Sequence, residues 1–464
     1  MDTYDFVVIG GGSAGYAAAS TAARLGLKTA VIEGGQKVGG LCILRGCMPS
    51  KTLLATAGRA AAVREAGEFG VLAQFSGVDG AALQARKRTL IDDFAGYRRG
   101  QLEAGKFTFL RGHARFVDFH HLEITNFQGE VTPISARTVL IATGSKIEPA
   151  PIPGLRETGY LDSDALLESE HIPASVIVLG GGAIALEAAT FYAGIGRRVT
   201  LLQRSARILK EADPDVSEAV TNGLRKKGIE VLTDVRLIKT ERAGTSKRVV
   251  FERKGVEQSV EAEEIIYALG RVPSVTGLGL DGIGVDASLG RLITETTQQT
   301  AIAHIFAAGD VCGPLEVVHI AIQQGEIAAR NAHRLIQDPA AELERIDYRL
   351  KLLAVFSDPG VATLGLTEAE ASLRRLPIQT ATYPFADHGK SMVEGHTEGF
   401  VKLTVHAETR EILGAAVVGP HAWELIHEIV VAMAFHATAG ALAQIPHYHP
   451  TLSEIWTYPA EELA

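Results

Sequence analysis

A short apolar strand that runs into a glycine turn and a small-residue helix occurs twice in this 464-residue chain. In the first copy Phe6-Val7-Val8-Ile9 leads into Gly10-Gly11-Gly12-Ser13-Ala14-Gly15, a helix follows from Tyr16 to Leu25, and the next strand, Thr29 to Ile32, ends at Glu33. Each part has a physical task in a βαβ dinucleotide site. Gly10 makes the tight turn, Gly12 lets a pyrophosphate approach the backbone, Gly15 lets helix and strand pack closely, and Glu33 accepts hydrogen bonds from ribose hydroxyls. The second copy runs from Val176-Ile177-Val178-Leu179 through Gly180, Gly182 and Ala185 to the strand Val199-Thr200-Leu201-Leu202. Gln203 follows Gly180 at the interval at which Glu33 follows Gly10, and Arg204 and Arg207 come next. A neutral residue with arginines beside it suits the 2′-phosphate of NADP, whereas an acid there suits NAD. The same arginines also fit a solvated face. A chain that holds two dinucleotides passes electrons between them.

Between the copies lies Gly39-Gly40-Leu41-Cys42-Ile43-Leu44-Arg45-Gly46-Cys47-Met48-Pro49-Ser50-Lys51, which holds two of the chain's three cysteines. In an unbroken α-helix two residues at this spacing have Cα atoms about 9 Å apart, beyond the ~7 Å that a disulfide spans. If Cys42 and Cys47 pair, the stretch is therefore not a regular helix. Gly46 permits a distortion, and Pro49 suits the first turn of a helix through Ser50 to Leu54. A thiol at such a helix start is favoured as thiolate by the dipole. Two readings stand: a redox disulfide from which electrons leave the protein, and two buried cysteines with no bond between them.

The composition, 46% hydrophobic and 21% charged with net charge −9, is that of an ordinary globular α/β chain and argues against a nucleic-acid-binding surface. Three cysteines make no extracellular disulfide framework. The acidic start Met1-Asp2-Thr3-Tyr4-Asp5 lacks the basic region of a signal peptide, and no apolar run reaches ~18 residues, so no membrane span is expected. Cytoplasm is the expected compartment, and a lone disulfide there is catalytic or redox-sensing.

Further strands end in glycine or acid. Val139 to Ile141 runs into Thr143-Gly144-Ser145, before a linker with Pro149, Pro151 and Pro153. Ile265 to Leu269 ends at Gly270-Arg271, and Ile305 to Ala308 ends at Gly309-Asp310, ahead of a helix from about Val317 to Leu335. From about Tyr348 the character changes to strands at Phe400 to Val405 and Ile412 to Val418. A helix from about Trp423 to Ala437 is apolar nearly all round, fit for a core or a subunit interface. A third domain of antiparallel sheet plus helices is expected.

These motifs together resemble the class I pyridine nucleotide–disulfide oxidoreductases, whose members include dihydrolipoamide dehydrogenase, glutathione reductase and mercuric reductase. The resemblance covers essentially the whole chain, from Gly10 to Gly15 through Cys42, Cys47 and Lys51 to His449-Pro450-Thr451-Leu452-Ser453-Glu454. It implies two Rossmann-like dinucleotide-binding domains, for FAD and NAD(P), and a C-terminal α+β dimerisation domain. The expected segments are 1–150 and 276–345 for FAD, 151–275 for NAD(P) and 346–464 for dimerisation. It implies FAD on Gly10, Gly12, Ser13, Ala14, Gly15 and Gly40, with Glu33 on the adenosine ribose, Ala114 near the adenine, Thr143 and Gly144 alongside, and Asp310 on the ribityl chain. NADP, with NAD as the second option, falls to Gly180, Gly182, Ala185, Gln203, Arg204, Arg207 and Gly270. The resemblance implies that Lys51 sits by the flavin N5 and pairs with Glu187, whose other reading is a solvated helix charge. The resemblance implies Cys47 as the flavin-side sulfur and Cys42 as the interchange thiol. The family is a homodimer, which implies that each site borrows His449 and Glu454 from the partner subunit.

Thiol–disulfide exchange needs a thiolate and a protonated leaving group, and a histidine oriented by a carboxylate supplies that proton. His449 with Glu454 fits; His447 competes for the role. The chain keeps His449 and ends without a cysteine pair, unlike mercuric reductases and the tailed thioredoxin reductases, and Cys312 reads as structural. Dihydrolipoamide dehydrogenase fits best at the active site. Gln203 departs from the acid of its NAD-using members, and Ala183 from the tyrosine of glutathione reductases. The expected substrate is a small disulfide or dithiol. Reduction of quinones or metal ions, and docking to a lipoyl-bearing protein in a multienzyme complex, are the alternatives. No metal site is expected.

Overall fold

The computed structural model describes residues 1–148, 151–287 and 290–464. Pro149 of the expected linker and the expected segment end at residue 150 lie outside them. The chain divides into two compact units.

The first unit comprises Met1–Ser50, Ala85–Glu148 and Arg271–Asp347. Its sheet runs Thr108–Arg111, Thr29–Glu33, Asp2–Ile9, Val131–Ile141, His121–Thr125, His113–Phe116, with Ile305–Ala307 also paired to Val131–Ile141. The strands around the first glycine turn pair in parallel, Phe6 to Ile9 against Thr29 to Ile32 on one side and Thr138 to Ile141 on the other. Where they pair, Val7, Val8, Val31, Ile32, Val139 and Leu140 make an apolar run because both faces are covered. One face packs on the helices Ser13–Arg24 and Val318–Gln337 through Phe6, Val8, Ala18, Ala22, Phe306 and Ala328. The helices can approach closely because Gly325 has no side chain: a Cβ there would overlap the carbonyl of Ala14.

The second unit comprises Lys51–Gln84, Pro149–Gly270 and Tyr348–Ala464. The stretch 51–84, expected with the first segment, thus belongs to the second unit. Its four-stranded parallel sheet, Glu230–Leu232, Arg198–Leu202, Ser175–Leu179, Glu264–Tyr267, carries the second glycine turn. A three-stranded antiparallel meander over Val235–Ala243, Ser246–Arg253 and Val256–Ala262 follows it, which the sequence pattern did not disclose. The C-terminal part is a five-stranded antiparallel sheet from Leu352–Val355 to Ile412–Gly419 under the helix Ala422–Ala434. That helix buries Leu425, Ile426, Ile429 and Met433 and leaves Val431 exposed, as is Phe435 at its C-cap.

Three carboxylates from two chain segments, Asp213 and Asp215 at one helix start and Glu368 at another, come close enough together to hold a cation. Their cation is Lys402. Its Nζ lies 2.8 Å from Asp213, 2.9 Å from Asp215 and 2.7 Å from Glu368. Burial works against the charge of Lys402, and the carboxylates more than offset that and raise its pKa. No helix among the described residues is long and apolar enough to cross a membrane.

Candidate active site

The cysteine stretch forms two helices, Gly40–Arg45 and Cys47–Glu65, broken at Gly46. Cys42 lies on the first, and Cys47 opens the second. A Cβ at Gly46 would stand 3.0 Å from the Leu41 carbonyl and 3.2 Å from the Cys42 Cα, so glycine lets the chain turn back this tightly. Pro49 falls in the first turn of the second helix, where its missing N–H costs nothing. Both cysteines are half-buried.

Arg98, which the sequence reading passed over, stands in the same unit on the helix Gly80–Glu103. Its guanidinium lies 4.2 Å from the centroid of the Tyr16 ring. Its Nε and one terminal nitrogen are buried without a hydrogen-bond partner. Burial lowers its pKa, while Tyr16, Cys42 and Tyr97 act in the opposite direction.

The first glycine turn is built for close approach. Gly10 has φ +110°, and a side chain there would collide with the Ala142 carbonyl. A Cβ on Gly15 would overlap the Gly10 carbonyl, so helix and strand meet only without one. Gly12 caps the helix Ser13–Arg24 with no side-chain bond and no acid in the first turn. Ser13 and Ala14 are in that turn. Gly40, at φ +71°, turns its bare Cα toward that of Gly12. Glu33 accepts from the Gly11 N–H at 2.9 Å and the Gly35 N–H at 2.6 Å, which holds its carboxylate beside the turn. Thr143 donates to the Ser274 carbonyl at 2.7 Å. Ser145 donates to Asp310 at 2.7 Å and accepts from Arg271 Nε at 2.9 Å. A Cβ on Gly144 would meet nothing. Ala114 lies on the buried side of His113–Phe116. A helix N-terminus free of acid, faced by two glycines, leaves room for a diphosphate against bare backbone. These residues fit the FAD that the sequence implies.

The second turn repeats this. Gly180 has φ +120°, and a side chain there would strike the Ala268 carbonyl. Gly182 and Gly270 face open space. Gly182 caps the helix Ala183–Gly194, again with no side-chain bond and no acid in the first turn. Ala185 stands where the first copy has Gly15 and is fully buried. Gln203 donates to the Arg207 carbonyl at 3.2 Å and accepts from the Arg204 N–H at 3.1 Å, closing the loop on itself. Arg204 is exposed. One terminal nitrogen of Arg207 is buried with no partner, a donor that an anion would satisfy. This loop fits a phosphorylated ribose.

Lys51 Nζ lies 2.8 Å from Glu187 Oε1, and the Phe356 N–H donates to the same oxygen at 3.2 Å. In the C-terminal part His449 is 80% exposed, with its Nδ1 3.0 Å from Glu454 Oε2. His447 is tied down instead: its Nε2 lies 2.6 Å from Glu428 and its Nδ1 2.9 Å from the Ile445 carbonyl. Cys312 is buried, hydrogen-bonds the carbonyls of Gly309 and Gly313, and has its pKa pushed up to about 12 by burial.

The chain matches the pyridine nucleotide-disulphide oxidoreductase family over residues 4–325 and that family's dimerisation domain over 353–460. It is 35% identical to the dihydrolipoyl dehydrogenase of Bacillus subtilis, covering 97% of this chain and 96% of that one. Among solved structures it is similar to LpdA from Mycobacterium tuberculosis, at 26% identity and a TM-score of 0.88 over 100% of both chains. It is also similar to the HOCl-induced flavoprotein disulfide reductase RclA from Escherichia coli, solved as a Cu(II) complex, at 25% identity and a TM-score of 0.85 over 100% of both. The chain therefore belongs to the pyridine nucleotide–disulphide oxidoreductase family. Within it, the chain is an FAD-dependent, nicotinamide-using disulfide oxidoreductase of the dihydrolipoyl dehydrogenase-like kind.

Proposed function

We propose that the enzyme uses NADPH to reduce a small disulfide through Cys42 and Cys47. The break at Gly46 carries this reading, because it frees the two cysteines from the spacing of one regular helix. Bound FAD supplies a two-electron relay between a nicotinamide and a disulfide. The residues that would hold it are Gly10, Gly12, Ser13, Ala14, Gly15, Glu33, Gly40, Ala114, Thr143, Gly144 and Asp310, with Lys51 at the reacting edge, oriented by Glu187. Gly180, Gly182, Ala185 and Gly270 would hold the nicotinamide nucleotide, with Gln203, Arg204 and Arg207 at its 2′-phosphate.

The Cys42–Cys47 disulfide takes up two electrons and becomes a thiol and a thiolate. The Cys42 thiolate attacks the substrate disulfide, forming a mixed disulfide and expelling one thiolate. That thiolate takes a proton from His449 of the partner subunit, whose Nδ1 is held by the partner subunit's Glu454. Cys47 then attacks Cys42, restores the internal disulfide and releases the second thiolate. Two electrons pass to the substrate, and the thiol proton left on the enzyme returns through the histidine. The proposed compartment is the cytoplasm.

The test is turnover with NADPH and NADH against lipoamide, glutathione disulfide and a quinone, in wild type and Cys42→Ser. Loss of disulfide reduction in Cys42→Ser is expected; a variant that still reduced its best disulfide would refute the reading. Direct reduction of quinones or metal ions is the second reading, favoured by the similarity to RclA, and predicts activity that survives Cys42→Ser. Docking to a lipoyl-bearing protein, suggested by the name of the B. subtilis relative, predicts co-purification with a lipoylated partner.

A further inference from the structure

A second imidazole stands behind Glu454. His388 is wholly buried, at 0% exposure, as is Ser391. Its Nδ1 lies 2.8 Å from Ser391 Oγ. Its Nε2 faces Glu454 Oε1 at 3.5 Å and has no hydrogen-bond partner. Glu454 Oε2 is the oxygen on His449. One carboxylate therefore lies between two imidazoles, one sealed in the core and one in solvent. The other titratable group facing His388 is Tyr458, edge-on with its ring centroid 6.3 Å away.

The contacts select a tautomer. An imidazole lone pair turned toward a carboxylate is repelled, and an N–H is attracted. Nε2 of His388 therefore carries the proton, and Nδ1 accepts from the Ser391 hydroxyl. A second proton is opposed by burial and by His449 and favoured by Glu454, with burial dominant, so His388 stays a neutral donor.

We propose that His388 is a positioning residue for proton transfer, its Nε2–H facing Glu454 Oε1 at ion-pair distance and attracting that oxygen so that Oε2 stays on His449 as that residue gains and loses its proton. The proposal rests on the reading of His449 as the acid–base group. Without a donor behind it, the carboxylate is free to rotate and meets His449 with altered charge. The effect is on the proton step and not on nicotinamide binding.

The test is the pH profile of disulfide reduction by the FAD-loaded full chain, with NADPH and lipoamide, for wild type, His388→Phe, His388→Gln and His449→Gln. Phe keeps the ring volume and removes the donor; the Gln amide restores an N–H at the Nε2 position. His388→Phe should lower kcat by about three- to tenfold, the range of an ordinary polar contact. It should also displace the pH of half-maximal rate and leave KM for NADPH unchanged. His388→Gln should recover most of the rate and the pH profile. Ser391→Ala, which removes only the hydroxyl on Nδ1, should shift the profile in the same direction by less, and serves if His388→Phe does not fold. Phe and Gln variants equally impaired, with lowered unfolding temperatures and unmoved pH profiles, would reduce His388 to packing and overturn the inference. A slow His449→Gln beside a normal His388→Phe would overturn it alone. A normal His449→Gln would overturn the proposed function and this inference with it.

Discussion

Lys51 Nζ meets both carboxylate oxygens of Glu187, at 2.8 and 2.9 Å, across 136 positions of chain. The ring of Phe356 lies 4.4 Å from the same ammonium, and the Phe356 N–H shares the carboxylate. Glu187 is the more buried partner, so neutralising it leaves a half-buried ammonium short of its counter-charge. Glu187→Gln should destabilise the fold by about 1–3 kcal/mol, read by denaturant unfolding. It should also slow turnover, since Lys51 is no longer held. Unchanged stability and turnover would show the pair to be incidental.

Arg98 predicts a reactivity effect. A charge at Cys42 supports the Arg98 guanidinium, and by reciprocity the guanidinium supports a thiolate at Cys42. In the two-electron-reduced enzyme, Arg98→Met should slow alkylation of Cys42 at neutral pH by about tenfold. The rate should fall less steeply with added salt in the variant than in wild type.

The Gln203–Arg207 loop predicts cofactor choice. Arg207→Ala should raise KM for NADPH by about ten- to a hundredfold, the worth of a hydrogen bond to a charged group, and leave NADH untouched. Wild type preferring NADH by about tenfold, ~1.4 kcal/mol, would refute the NADPH assignment.

Cys312 should be inert. It is buried, and its pKa of about 12 leaves almost no thiolate near neutrality. Iodoacetamide on the reduced native enzyme should modify Cys42 and Cys47 but not Cys312, as mass spectrometry of peptides would show. Cys312→Ala should keep turnover.

Stability should fall on acidification. His388 and His304 both have folded-state pKa values below the ordinary imidazole value, chiefly from burial. The unfolded chain then binds more protons than the folded one in the window below about pH 6.5. Their contribution to stability is present above that pH and is lost as pH falls through the depressed values. Unfolding midpoints between about pH 7 and 5 should show this slope, and His388→Gln should flatten it.

The glycine turns were legible in the sequence because tight backbone turns and close helix–strand contact exclude side chains locally. The same holds for the break between Cys42 and Cys47, where helix geometry and one glycine suffice. The 24-residue helix Gly80–Glu103 was not read, and Arg98 was missed with it. Nothing in its neighbourhood of sequence says that its guanidinium lies on Tyr16. The meander over 235–262 escaped for a related reason: its last strand is mostly exposed, and its middle strand buries Val249, Val250 and Phe251 as a run rather than an alternation. For Asp213, Asp215 and Glu368, only packing shows that they share Lys402.

By itself, then, the sequence determined two dinucleotide modules, a paired-cysteine stretch and an HPT histidine with its carboxylate, all written in short-range spacing. The Lys51–Glu187 and His449–Glu454 pairs were already expected from the resemblance, and only the tertiary structure decided which further polar groups share a partner: Ser145 with Asp310 and Arg271, and the buried His388 behind Glu454. A buried polar atom has to find its partner where packing removes water, and the residue that packing brings there stands far off in the chain.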